Sequence, residues 1–443
     1  MKKYDEYKDS GVAWIGEVPK HWEVIKTSLA FQGIGSGTTP STSKKEYYDD
    51  NGNGKYWLQT GDLEDGIVYD TSKKVSTIAI KECNLTFYPI DSIIIAMYGA
   101  TIGKVGILGI ESATNQACCV IPVTKKQIAK YFFYEFLACK PALLIAAIGG
   151  GQPNISQDTI KKLKIVIPPI NEQTAIATYL DTHCAKIDNL ISIQQKRIAL
   201  LQELKQSVIT HAVTKGLNPN VEMKQSGVEW IGDVPKHWEV CKLKSYCSLK
   251  GRIGWNGLRS EEFEKESYAY LVTGQDFVSS DIEWGKCYQI NKIRYDEDPC
   301  IQLENGDLLI TKDGTIGKIA KVSNMDKPAC LNSGIFVLKQ KSHNQFEQGY
   351  LYWALFSNLL KDFNSYTSTG TTILHLYQNI FENMPLVVPS KKEQQEISNY
   401  LDSKTMRIDT SISNAQHQID LLQEYKQSLI TEVVTGKRKV TDN

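Results

Sequence analysis

Two stretches of this chain recur almost residue for residue, and that recurrence limits what it can fold into. Ser10 to Val24 reads SGVAWIGEVPKHWEV and Ser226 to Val240 reads SGVEWIGDVPKHWEV, an offset of 216 residues. Leu200 to Thr214 (LLQELKQSVITHAVT) returns as Leu421 to Thr435 (LLQEYKQSLITEVVT), an offset of 221 residues. Each half is therefore one copy of a unit of about 215 residues. A chain of 443 residues predicts two or three domains, and each copy is long enough to bury its own core. Two copies can present similar surfaces about an approximate twofold axis.

Charge and cysteine usage narrow the class. Fifty Lys and Arg balance fifty Asp and Glu, which counts against a strongly basic, nonspecific nucleic-acid binder. It leaves room for a sequence reader that takes most of its phosphate contacts from partner subunits. The balance hides an asymmetry: no arginine precedes Arg197, whereas the second half offers Arg252, Arg259 and Arg294. Ten cysteines without a CxxC pair suit a reduced, cytoplasmic protein. The opening MKKYDEYKD lacks the apolar core of a signal peptide, and no run of eighteen apolar residues predicts a membrane span.

After each WIGxVPKHW opening come short apolar runs between Gly, Asn, Asp and Thr turn signals. Ser92 to Met97, Val120-Ile121, Leu308 to Thr311 and Phe336 to Leu338 predict strands; Tyr131 to Leu144 and Gly349 to Phe363 predict helices. Pro168-Pro169 and Pro385 with Pro389 then introduce long stretches free of proline and glycine. Leu180, Ile187, Leu201 and Val208 fall on a seven-residue grid, with Gln194 at the missing place; Leu401, Ile408, Ala415, Leu422 and Leu429 repeat it. That spacing puts one stripe on a helix and requires a helical partner. The expected architecture is α+β: a globular domain over 1–170, a long helix over 171–214, a linker with a second globular domain over 215–390, a second long helix over 391–436, and a polar tail over 437–443. The simplest packing pairs the helices antiparallel, as a ruler between two heads.

In this arrangement the chain resembles the specificity subunit of type I restriction-modification systems. The matching residues are the two WIGxVPKHW openings, Gly35 to Ser41 (GSGTTPS), Thr60 to Leu63 (TGDL), Gly99 to Lys104 (GATIGK) and the LLQExKQS helix ends. In copy two they are Lys250 to Leu258 (KGRIGWNGL), Val272 to Phe277 (VTGQDF) and Gly306 to Lys318 (GDLLITKDGTIGK). The resemblance implies two target-recognition domains, each reading half of a bipartite site in double-stranded DNA, with the helices imposing a nonspecific spacer. It also implies docking of two modification subunits, with restriction and translocase subunits in the full complex. Methylation, S-adenosylmethionine, ATP and Mg belong, by the same resemblance, to those partners. This chain is then a non-catalytic reader without a cofactor. Because Gly35 to Tyr48 and Gly251 to Phe263 differ between copies, an asymmetric target is expected.

Candidate DNA contacts in head one are Ser36, Thr38, Thr39, Ser41, Lys44 and Lys45, whose hydroxyls and ammonium groups suit phosphates or base edges. Gln59, Asn115 and Gln116 can meet adenine through two hydrogen bonds, although polar residues at strand ends often bond local backbone. Lys104 and Lys318 follow glycine turns that lack the GxxxxGK[ST] spacing of a nucleotide loop, so phosphate contact on DNA is the remaining functional reading. Gln152 and Asn154, and Thr371 and Thr372, sit in late polar loops of the two copies. Head two adds Arg252, Trp255, Asn256 and Arg259, with Arg and Asn forks suited to guanine and adenine. Trp14, Trp22, Trp230 and Trp238 are expected to pack or dock at the junctions of heads and helices. The helix histidines His183, His211 and His417 lack companion ligands, so no metal site is expected. The alternatives are a scaffold that does not read DNA and a free-standing nuclease. Glu203-Leu204-Lys205 and Glu424-Tyr425-Lys426 offer only helical charge pairs towards the latter.

Overall fold

The computed structural model describes residues 3–49, 53–145, 147, 154–252, 258–341, 346–367 and 376–440. Two compact units emerge. The first comprises Met1–Gln195 together with Gln416–Asn443, and the second comprises Lys196–Ala415. The division falls inside the long helices rather than at their ends. Among the described residues, no helix is long and apolar enough to cross a membrane.

The helices run over Ile170–Lys215, 46 residues, and Lys391–Val434, 44 residues. Neither contains proline or glycine, so nothing interrupts the i to i−4 hydrogen bonds. Gly216 and Gly436, at φ 78° and 73°, follow the two helix ends in the left-handed conformation that favours glycine. Within the first unit Lys426 Nζ meets both oxygens of Asp188 at 2.7 and 2.8 Å. Within the second, Lys205 Nζ meets both oxygens of Asp409 at 2.7 Å. In the first unit Arg438 Nη1, just beyond the end of the second helix, also lies 3.4 Å from the Tyr179 hydroxyl, so there the two helix segments run in opposite directions. The pairs are partly exposed and contribute little individually.

Apolar packing carries more of the energy. Leu180, Ile187 and Leu429 lie in the core of the first unit, with Leu422 partly buried against it. Leu401 occupies the second core, with Val208 packed on its edge; Ile408 is buried, while Leu201 is half-buried. Full burial of one such leucine contributes about 1.5–3 kcal/mol.

In the first unit a five-stranded sheet has the order Gly35–Ser36, Cys118–Ile121, Ile93–Ala96, Val105–Leu108, Gly66–Val68, antiparallel except for its last pair. A four-stranded sheet follows the order Lys73–Val75, Lys55–Leu58, Ser112–Thr114, Phe87–Tyr88, its central pair parallel. The second unit repeats the plan in reduced form. Its larger sheet has the order Cys247–Gly251, Ile335–Gln340, Leu308–Thr311, Ile319–Lys321. Its smaller sheet has the order Tyr288–Ile290, Ala269–Val272, Ala329–Leu331, the first pair antiparallel and the second parallel. The helix Ala129–Ile145 covers the first larger sheet through Tyr131, Phe132 and Phe136. The single helix expected over Gly349 to Phe363 is instead two, Gln348–Phe356 and Asn358–Thr367. Ser357 separates them: its Oγ donates to Ala354 O (2.6 Å) and accepts the Leu359 N–H (3.2 Å).

Each opening motif is anchored to the start of its unit's long helix. Glu23–Lys26 pairs with Lys164–Ile167, and Glu239–Lys242 with Pro385–Val388. Trp22 Nε1 then donates to Glu172 (3.1 Å), which also lies 2.6 Å from His21 Nε2 and accepts from the Tyr4 hydroxyl at 2.7 Å. Trp238 Nε1 and His237 Nε2 hold Glu393 in the same way, at 3.1 and 2.8 Å. Burial opposes ionisation of Glu393, but the hydrogen bonds from His237, Ser390 and Trp238 outweigh it and hold the carboxyl down at about 2. Trp14 and Trp230 are half-buried against the respective cores.

Candidate nucleic-acid interface

Three loops converge at the same place in each unit because the strands that carry them are hydrogen-bonded neighbours. The first loop is an acid-capped turn. Asp62 Oδ2 accepts the Gln59 N–H at 2.8 Å, and Asp276 Oδ2 accepts the Thr273 N–H at 2.7 Å. The second joins antiparallel strands: Gly103 N donates to Ala96 O (2.8 Å) and Gly317 N to Thr311 O (3.0 Å). Gly103 and Gly317 have φ 76° and 82°, so the glycines serve the turn itself. The third loop leaves the parallel strand, with Asn115 N donating to Leu58 O and Asn332 N to Val272 O, both at 2.9 Å.

In the first unit the polar Gly35 to Ser41 segment lies against the third loop. Thr38 N donates to Thr114 O at 3.0 Å, and Trp57 Nε1 donates to Thr38 O at 3.1 Å. The approach is so close that a Cβ on Gly37 would lie 1.7 Å from Thr114 O. Thr39 Oγ1 donates to Gln116 Oε1, and the Gln116 amide lies beside the Tyr98 phenol. Tyr98 in turn bridges to Asn154. Thr38, Thr39, Asn115, Gln116 and Asn154 therefore come together, with Ser36 exposed on the adjoining edge strand.

Other candidates in this unit have local duties. Gln59 caps the first turn with its side chain. Ser41 bonds Ser43 at 2.8 Å, and Lys44 is engaged by Tyr47 (2.8 Å) and Glu82 (3.4 Å). Lys45 is exposed, and Lys104 is half-buried at the end of its turn. Gln152 lies outside the described residues.

In the second unit the three loops line a cleft of about 510 Å³ that includes Thr273, Gln275, Thr315, Lys318 and Asn332, with Phe263 and Tyr288 at one side. Lys318 is exposed. Arg252 requires a correction. Expected at the surface, it is only 3% exposed; its Nε donates to Leu331 O (2.9 Å) and its Nη2 to Cys330 Sγ (3.4 Å). Its Nε and Nη2 tie strand ends together inside the protein, and its Nη1 is buried without a partner among the described residues. Arg259 is exposed, and its backbone N–H donates to Glu262 (2.7 Å). Trp255, Asn256, Thr371 and Thr372 lie outside the described residues. Sequence reasoning missed Tyr98 in the first unit and Gln275, Phe263 and Tyr288 in the second. Aligning the two acid-capped turns on Asp62 and Asp276 was the available signal for Gln275, since it opposes that residue to Gly61.

This geometry is a surface of hydroxyls, amides and lysines on a rigid double-sheet platform, suited to the edges and phosphates of a polar polymer. Among the described residues, no cluster of three or more His, Cys, Asp or Glu is arranged to hold a metal ion. The family model for the type I restriction modification DNA specificity domain matches the chain twice, over residues 19–202 and 235–419. The chain is 26% identical to the type I restriction enzyme MjaIX specificity subunit of Methanocaldococcus jannaschii, covering 99% of this chain and 97% of that one. It is also 26% identical to the MjaVIII specificity subunit of the same organism, over 96% and 94% of the two chains. A chain from a structural study of complex assembly and conformational transition in the type I R-M system superposes with a TM-score of 0.71 at 14% identity, covering 94% of this chain and 98% of that one. The HsdS subunit of Thermoanaerobacter tengcongensis gives 0.50 at 12% identity, over 95% and 98% of the two chains. The tandem copies, their shared platform and these matches place the chain in the type I restriction-modification DNA specificity family.

Proposed function

We propose that this chain chooses the DNA sequence on which a type I restriction-modification complex acts, each unit reading one half of an asymmetric bipartite site. The observation that carries the reading is one platform built twice with different side chains on its first and third loops, while the second loop keeps Thr-Ile-Gly-Lys in both units. Similar platforms with unequal loops suit two unlike half-sites at equivalent positions on a duplex.

The chain docks two methyltransferase subunits, and restriction subunits join in the full complex. Methyl transfer with S-adenosylmethionine, and ATP- and Mg-dependent translocation and cleavage, are assigned to those partners; this chain supplies selection and holds no cofactor of its own. Its place of action is the cytoplasm. The long helices are assigned the nonspecific spacer. With zero formal charge, the chain alone binds DNA weakly, and salt-sensitive affinity arrives with the partners. The test is to map modified adenines in cells that express this chain with its methyltransferase subunits. An asymmetric bipartite motif of fixed spacing is expected; a palindromic motif, or one that tolerates a changed spacer, would overturn the reading.

A further inference from the structure

The cleft of the second unit contains a side chain with the chemistry of a base reader and no structural duty. Gln275 is exposed on the first loop, between Gly274 and the capping Asp276. Its backbone N–H donates to Thr273 Oγ1 (3.3 Å), but its side-chain amide has no hydrogen-bond partner among the described residues. Three neighbouring polar atoms are already engaged. Thr273 Oγ1 donates to Asp276 (2.9 Å), Thr311 Oγ1 accepts the Lys318 N–H (3.0 Å), and Asn332 Oδ1 accepts the Ser333 N–H (2.7 Å).

The wall beside Gln275 is aromatic. Phe263 and Tyr288 line the same cleft, their ring centroids 5.2 Å apart at 39°. A glutamine amide offers one donor and one acceptor in the plane that matches N7 and N6 of adenine. The thymine opposite that adenine presents its methyl group on the same major-groove edge, where an apolar surface recognises it. An amide beside an aromatic wall is thus complementary to an A·T pair as a whole.

The first unit is arranged differently. The position equivalent to Gln275 is Gly61, and a Cβ built there would meet nothing within 4 Å, so the place is open but carries no reader. Its amide is Gln116 on the third loop, where the second unit has Ser333.

We infer that Gln275 is the base-reading residue of the second unit and specifies an adenine, with Phe263 and Tyr288 receiving the methyl of its thymine partner. This rests on the proposal that the second unit reads one half-site. The test uses the chain assembled with its methyltransferase subunits and a panel of duplexes carrying each base pair at every position of the mapped motif. Gln275→Leu is expected to lose roughly ten- to a hundred-fold of the discrimination at one A·T position of one half-site. The other half-site and the spacer should be unchanged. Gln275→Glu, an acceptor only, should shift preference at that position towards cytosine, whose N4 donates. Unchanged discrimination at every position, or a loss spread evenly over both half-sites, would overturn the inference. A Gln275→Leu/Thr315→Ala/Lys318→Ala variant separates the two levels. If it alters one half-site while Gln275→Leu does not, only the Gln275 assignment fails. If it too leaves both half-sites intact, the cleft does not read DNA and the proposal beneath it fails as well.

Discussion

The first and second units share the contacts that join sheet, helix and opening motif, and they differ in side chains on the first and third loops. The Tyr131 hydroxyl lies 3.0 Å from Val166 O and 3.3 Å from Val434 O; the Tyr350 hydroxyl lies 2.7 Å from Val387 O and 3.3 Å from Val213 O. The tryptophan-histidine clasp on Glu172 recurs on Glu393, and the left-handed glycine after each long helix recurs as Gly216 and Gly436. Against this stand Gln116 and Ser333, and Gly61 and Gln275, at matching loop positions. The duplicated contacts hold the shared platform, and the unduplicated loop side chains are free to set what each unit recognises. Buried groups differ too: Glu135 in the first unit has Ala354 as its counterpart in the second, and Arg252 in the second has Gly37 in the first.

The comparison can be broken most forcefully at the helix seam. Leu180 and Leu401 are both 0% exposed, so Leu180→Asp and Leu401→Asp should each remove about 4 kcal/mol or more by placing an unpaired charge in a core. Urea unfolding should show equal losses. A large inequality would mean that the two seams are not equivalent. The half-buried Leu201 and Leu422 should cost far less on the same substitution.

A finer probe is the pair of helix-ending glycines. A Cβ on Gly436 would lie 2.3 Å from Pro19 Cδ, whereas one on Gly216 would come no closer than 3.1 Å to the Trp238 ring. Both also sit at positive φ, where an L side chain is strained. Gly436→Ala should therefore cost about 2–3 kcal/mol and Gly216→Ala about 1–2 kcal/mol. Thermal unfolding of the two variants that reversed this order would contradict the packing described.

The smallest expected effect distinguishes the cores by pH. Burial pushes the Glu135 carboxyl up to about 8, partly offset by hydrogen bonds from the Val166 N–H and Tyr131. Its other oxygen, Oε2, is buried without a partner among the described residues. Because the folded value exceeds the ordinary 4.5, the contribution is full below 4.5 and is lost as pH rises through about 8. Glu135→Gln keeps an acceptor for Val166 and cannot ionise. It should flatten this loss of stability with rising pH. Hydrogen exchange in strands of the first unit, compared between pH 5 and pH 9, would detect it. An identical slope in wild type and variant would refute the assignment to Glu135.

Much of the plan is legible in the sequence. The seven-residue grid and the absence of Pro and Gly point to long helices, and short apolar runs between turn signals point to strands, because both depend on local geometry. The late helix broken at Ser357 was less legible, since a single hydroxyl chooses between capping and continuing. Arg252 shows a deeper limit. A guanidinium beside glycines has the composition of a surface reader, and only the approach of Leu331 and Cys330 from a strand far along the chain buries it. Gln275 was overlooked for the converse reason: its neighbours are structural, and its freedom emerges only once their hydrogen bonds are assigned.

The first unit contains Gln416–Asn443, whereas the second is the continuous span Lys196–Ala415. A ribosome that has finished Met1–Gln195 has therefore not yet made the turns carrying Leu429, Ile430, Val433 and Val434, which fill that unit's interior. The portion translated earliest is the last able to close, and the portion translated in the middle can settle before it. Premature termination near Ala415 would release a product with one finished reader and one with an open apolar wound, a form that quality-control proteases are well placed to remove.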